Sequence, residues 1–198
     1  MSATPIAIPE TPVAWNLPNR GRVGMYCLIG AEAAIFTIFV VAYLFYIGKS
    51  LTGPTPKDVL QVPVFFTICL LSSSLTIHRA VKALRRGTIR AFALWWASTF
   101  ALGATFLTGT VREWHRLIYY EGLTISTNLF GTTYYSLVGL HAFHVTVGVL
   151  ALTCALLLAL FGHLREKHSE RIDVLSLYWH FVDVVWVVVF TVVYIIGR

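Results

Sequence analysis

The sequence predicts an all-α polytopic membrane protein, a bundle of five transmembrane helices with its N-terminus cytoplasmic and its C-terminus outside. Three observations predict it. Hydrophobic residues make up 57% of the 198 residues and charged residues 12%, a balance seldom reached by soluble domains. The apolar residues gather into five runs, at about 23–48, 60–80, 91–111, 133–161 and 174–197, each about the length that crosses a bilayer as a helix. The links between them divide the basic residues unevenly. With the N-terminus inside, that side holds ten: Arg20, Arg22, Arg79, Lys82, Arg85, Arg86, Arg90, Arg165, Lys167 and Arg171. The other side holds five: Lys49, Lys57, Arg112, Arg116 and Arg198. Basic residues accumulate on the cytoplasmic side of a membrane, so this split sets the orientation. It also accounts for the net charge of +6 without a nucleic-acid partner.

Residues 1–22 read as a flexible arm carrying Pro5, Pro9, Pro12 and Pro18. The arm lacks the basic start and apolar centre of a signal peptide, and Arg20 and Arg22 are expected to close it at the membrane surface. Residues 23–198 then form a single transmembrane domain. Its first span has one charge, Glu32, nine residues past Val23, which places it roughly 14 Å along a helix rising ~1.5 Å per residue. With no cation on its own span, this carboxyl is expected to be protonated, as a proton-linked group or as a packing group bonded to another helix.

The second span carries Ser72-Ser73-Ser74, and small hydroxylated residues allow close helix approach. The five basic residues from Arg79 to Arg90 read as a solvated loop. The third span opens on Trp95-Trp96 and closes near Trp114, the pattern of interfacial aromatic belts. A longer polar link, Arg112 to Thr132, holds Glu113, His115, Arg116 and Glu121. In the fourth span Tyr134, His141, His144 and Gly148 make one stripe at helical spacing. Cys27, Cys69 and Cys154 each fall inside a span without metal-ligand spacing and read as small apolar fillers, with no disulfide expected.

The fifth span holds the main functional clue, Tyr178-Trp179-His180-Phe181-Val182-Asp183-Val184-Val185-Trp186. His180 and Asp183 share a helical face with Trp179 and Trp186 beside them. An imidazole and a carboxylate inside hydrocarbon are costly unless they satisfy each other or a facing helix. Asp183 is therefore expected to accept from His180 or from a polar group on a neighbouring helix, with His141 and His144 as candidates. These residues, with Glu32 and Glu113, admit a metal, haem, proton-path or lipid-headgroup reading beside one of helix packing. The paired Glu-x-x-His motifs of di-iron bundles and the His-Glu-x-x-His of zinc hydrolases are both absent.

Three motifs in order resemble subunit III of the haem-copper terminal oxidases in its short five-helix form, and the likeness runs from Gly24 nearly to the end. Gly24-Met25 followed by Glu32 and Phe36 looks like that family's first-helix pattern, with Glu32 at its carbodiimide-reactive carboxylate. Gly139 to Gly148 is similar to its Gly-x-His-x-x-His-Val-x-x-Gly stretch, and Tyr178 to Trp186 to its Tyr-Trp-His-Phe-Val-Asp-Val-Val-Trp signature. Thr110-Val111-Arg112-Glu113-Trp114 departs from the Gln-x-x-Glu-Tyr of many members. The arm leaves no room for the two extra N-terminal spans of seven-helix members.

The resemblance implies a non-redox subunit of a proton-pumping cytochrome c oxidase, with no catalytic or metal residue of its own. Haem and copper would lie in partner subunits I and II, subunit I being the main contact. It further implies bound phospholipid, support of proton uptake and oxygen access, and residence in the bacterial cytoplasmic membrane. The alternative is subunit III of a quinol oxidase or a nitric-oxide-reductase-associated relative, the quinol type being favoured by Leu175-Ser176-Leu177 and by Gly53-Pro54-Thr55; Glu32 favours the cytochrome c type. A free-standing b-type cytochrome or a small transporter would not account for the signature at Tyr178 to Trp186.

Overall fold

A computed structural model describes residues 20–50 and 52–197; residues 1–19, most of the expected arm, lie outside them. The described chain is helical: α1 (Arg20–Tyr46), a single turn α2 (Pro56–Val59), α3 (Val64–Arg85), α4 (Ile89–Tyr119), α5 (Leu129–Leu160) and α6 (Ser169–Phe190). A 3-10 turn, Glu166–His168, leads into α6, and a π-helical segment, Thr191–Ile196, continues it. Five of these helices are long and apolar enough to cross a membrane. In hydrocarbon every backbone N–H and C=O must be satisfied within the segment, and a helix does this for any apolar run of sufficient length.

The helix ends differ from the apolar runs: α3 begins later, at Val64, and α1 ends earlier, at Tyr46, while at their basic or polar ends the helices reach past the runs. α1 starts at Arg20, so Arg20 and Arg22 belong to its first turn and not to the arm. Arg79, Lys82 and Arg85 lie on α3, and Arg90 on α4. The expected basic loop shrinks to a tight turn around Gly87, whose φ of 72° suits a residue without Cβ. α4 runs on through Arg112, Glu113 and Arg116 to Tyr119, and α6 begins at Ser169, five residues before Val174. Hydropathy marks where a helix leaves hydrocarbon; hydrogen bonding carries it one or two turns into the polar layer. Of the cysteines only Cys69 is buried. Cys27 and Cys154 are exposed, so they face outward and fill nothing.

α6 packs on α1, α3 and α5; α4 lies against α3 and α5, and α1 against α5. Half of the most apolar stretch of the last span is buried, against 11% for α1, which makes α6 the centre and α1 the outer helix. Lipid is as apolar as leucine, so close packing must hold such helices together. Trp179 of α6 supplies it. A methyl group on Gly103 of α4 would stand 2.7 Å from its Cη2, and one on Gly148 of α5 2.8 Å from its Cε3. The indole fits only because both facing residues lack a side chain.

Candidate functional site

The polar side chains inside the bundle form three groups, each joining different helices. The first joins α3 to α6, which run antiparallel, so residues late on α6 meet residues early on α3. Trp186 Nε1 donates to Thr67 Oγ1 at 3.1 Å. Trp179 Nε1 donates to Ser73 Oγ at 2.7 Å, and Ser73 Oγ in turn donates to the Leu70 carbonyl at 2.5 Å. Between them Ser74 Oγ donates to Asp183 Oδ2 and lies 3.0 Å from His180 Nδ1. The serine proton is directed at the carboxyl, so the imidazole donates: His180 Nδ1–H to Ser74 Oγ, and Ser74 Oγ–H to Asp183.

His180 and Asp183 are thus linked, but through Ser74. Asp183 accepts from a polar group on a facing helix, as the sequence leads one to expect, but that group is Ser74, and neither candidate histidine, His141 or His144, reaches it. A facing hydroxyl takes the role because Ser74 sits directly opposite on the close-packed α3.

The second group joins α1 to α5. Glu32 Oε2 lies 3.1 Å from His144 Nε2, and His144 Nδ1 lies 2.8 Å from the Leu140 carbonyl. A carbonyl only accepts, so Nδ1 carries a proton. One proton then lies between Nε2 and the carboxyl, whether as acid and imidazole or as carboxylate and imidazolium. Tyr178 Oη adds a bond to the His144 carbonyl at 3.1 Å. Glu32 is therefore bonded across to another helix.

His141, one turn from His144, is 1% exposed. Its ring stacks on Trp186 at 5.0 Å between centroids and meets the Phe106 ring edge-on at 5.8 Å. Neither of its nitrogens has a hydrogen-bond partner among the described residues. The aromatic cage holds the ring as an apolar plate.

Glu113 anchors the third group. Its Oε2 accepts from Tyr194 Oη at 2.9 Å, and Tyr134 Oη lies 3.5 Å from Tyr194 Oη, at the limit of a hydrogen bond. Tyr194 rides on the π-helical segment. Two further contacts fix the ends of the bundle. Asp173 on α6 accepts from Arg22 of α1 and, at 2.6 Å, from Arg85 of α3. At the opposite end Arg116 donates to the Val59 carbonyl at 2.6 Å. The arginines on Asp173 are 40% and 53% exposed, so they order the helix ends more than they stabilise the fold.

All eight residues singled out in the sequence therefore lie in or beside these groups, in three separate places. Sequence reasoning missed Thr67, Ser74 and Tyr194 as partners. A signal existed for the first two. Thr67 and Ser73, which the two indoles meet, are six residues apart, with Ser74 directly after, and Trp179 and Trp186 are seven apart, so both helices repeat about every two turns and can mate antiparallel along those residues. Among the described residues no group of three His, Cys, Asp or Glu side chains converges as a metal site would require.

Comparison with known proteins agrees across the length of the chain. Residues 19–198 match the family model described as cytochrome c oxidase subunit III. Cytochrome c oxidase subunit 3 of Alkalihalophilus pseudofirmus is 33% identical over 96% of this chain and 94% of its own length. The protein of the same name from Bacillus sp. (strain PS3) is 35% identical over 96% and 92%. Quinol oxidase subunit 3 of Bacillus subtilis is 33% identical over 88% and 86%.

Proposed function

Because this chain belongs to the cytochrome c oxidase subunit III family, we propose that it is the non-redox subunit III of a proton-pumping cytochrome c oxidase in the bacterial cytoplasmic membrane. In this reading it docks on subunit I, with subunit II nearby, and haem and copper belong to those partners. It stabilises subunit I, binds phospholipid, and supports proton uptake and oxygen access. Its N-terminus is cytoplasmic and its C-terminus outside.

The observation that carries this reading is the arrangement of the family's three motifs. Tyr178 to Trp186 faces α3 and reaches α4, while Glu32 meets His144. These groups are tied to one another and to hydroxyls, an arrangement that fixes helix positions for an assembly partner. The outer surface supports it too. Ile38, Val41 and Phe45 on α1 are 67%, 57% and 61% exposed, an apolar face suited to lipid or to another membrane subunit. Glu32 lies on the opposite side of α1 from that face, turned toward α5, where its one-proton pair with His144 would support proton uptake.

Quinol oxidation is the second reading, since relatives of both names match at 33% identity. One purification tests both. The full-length tagged chain, drawn from native membranes in mild detergent, should bring down two larger subunits and a haem Soret band. A copper-ligand cluster in the copurifying subunit II identifies the cytochrome c type, and its absence the quinol type. Recovery of the chain alone, carrying its own haem spectrum, would overturn both readings.

A further inference from the structure

Glu113 takes its hydrogen bond from a phenol, Tyr194 Oη donating to Oε2 at 2.9 Å. An ionised carboxyl only accepts, so the hydrogen between the two oxygens can move one way, from Tyr194 to Glu113. Both side chains are shielded from water: Tyr194 is buried, and Glu113 Oε1 has neither a donor among the described residues nor a surface open to solvent.

The phenol belongs to a run of aromatic rings. About two turns deeper along α6, the buried Trp186 stands 6.3 Å from it between centroids. On the other side Tyr134 Oη lies 3.5 Å from Tyr194 Oη, and the Tyr134 ring is 5.2 Å from that of Tyr135. Tyr135 is half-buried and donates at 2.8 Å to the carbonyl of Leu123, in the link between α4 and α5. The run thus leads from the interior of the bundle to its surface. Phenylalanine would fill the place of Tyr194 without bringing a hydroxyl and an acid into the bundle, where each is costly to bury.

Indole and phenol are the aromatic side chains that give up one electron most readily, and a phenol does so when its proton can leave with the electron. We propose that Trp186, Tyr194 and Glu113 form a proton-coupled electron donor that carries oxidising equivalents out of the bundle. An oxygen-centred radical such as hydroxyl takes one electron from Trp186 and becomes hydroxide. Tyr194 returns an electron to the indole radical cation as its O–H bond breaks and a new O–H bond forms on Glu113 Oε2. Trp186 is then restored, and a neutral tyrosyl radical stands beside a neutral acid. No net charge is created in the low-dielectric interior, which is why the proton travels with the electron. A soluble thiolate, itself becoming a thiyl radical, supplies an electron through Tyr135 and Tyr134, and the proton returns from Glu113 to Tyr194 Oη. This goes beyond the proposed function, in which haem and copper belong to the partner subunits. The test supplies its own oxidant, so the two readings fail separately.

The test uses the full-length chain in nanodiscs, with the exposed Cys27 and Cys154 replaced by serine. A ruthenium polypyridyl photo-oxidant is attached at Val187→Cys, an exposed neighbour of Trp186. Flash oxidation should give a neutral tyrosyl radical by transient absorption, formed more slowly in D2O than in H2O. Tyr194→Phe, which keeps the ring, should leave the indole radical in its place. Glu113→Gln keeps an oxygen to accept from Tyr194 but takes no proton, and should slow tyrosyl formation about a hundredfold, the low end of what a positioned base contributes. The wild-type isotope effect stands even where a variant fails to fold. Equal rates in H2O and D2O, an undiminished tyrosyl signal in Tyr194→Phe, or a wild-type rate in Glu113→Gln would each overturn the proposal and leave these residues as packing groups.

Discussion

Glu32 of α1 and His144 of α5 meet across a helix interface, Oε2 to Nε2 at 3.1 Å, with the imidazole fixed from behind by the Leu140 carbonyl. Because Nδ1 is committed to that carbonyl, the pair holds one proton on its facing side. Glu32→Gln preserves a donor to Nε2 in nearly the same volume, so the complex should retain this chain. Glu32→Ala strands Nε2 and should lower stability by about 1–3 kcal/mol, read as earlier loss of the subunit on detergent titration. A carbodiimide should label the wild type and spare Glu32→Gln. Failure of the glutamine variant to assemble would mean that the pair must be ionic.

Ser74 is the hinge of the α3–α6 group, since it both accepts from His180 and donates to Asp183. Ser74→Ala leaves the buried Asp183 and the half-buried His180 unsatisfied at once, and its loss should approach that of Asp183→Leu. Asp183→Asn, which keeps an oxygen able to accept from Ser74, should fall between those variants and wild type. Thermal denaturation of the purified complex ranks the four. Wild-type stability for Ser74→Ala would show that the bridge contributes nothing.

Trp179 needs both glycines that face it. Gly148→Ala and Gly103→Ala each place a methyl group under 3 Å from the indole, and overpacking of this kind costs about 1–3 kcal/mol. Trp179→Phe, a smaller ring, should partly rescue Gly148→Ala in the same denaturation assay. Additive losses in the double variant would contradict the sandwich.

The proposed orientation has a direct chemical test. A cysteine added after Arg198 should react with a membrane-impermeant thiol reagent in intact cells, and one replacing Thr88 should not. The reverse pattern would overturn the charge argument, and reaction of both positions, or of neither, would overturn the five-span topology.

Much of this architecture was legible from hydropathy, because lipid leaves a long apolar run little choice but a helix. The ends were less so. Nothing in the composition of Arg112 to Tyr119 says that α4 continues through it, since the anchoring bond runs from Arg116 to a carbonyl on a distant segment. The site was visible as residue types and not as pairings. His180 and Asp183 announce that they need partners, but whether a hydroxyl or a histidine answers depends on which helix lies opposite. Glu32 and His144, 112 positions apart, carry no local signal of each other.

Initial oxygen consumption tests most directly the proposed role, in which this chain supports an oxidase without hosting its chemistry. Complexes carrying Asp183→Leu should be assayed for subunit retention by gel and for the first seconds of oxygen uptake with reduced donor. Those that keep the subunit, and those that have lost it in detergent, should both show an intact haem spectrum and begin turnover at a rate near wild type. Complete loss of initial uptake with the subunit still bound would contradict the account and place Asp183 on a route of protons or electrons.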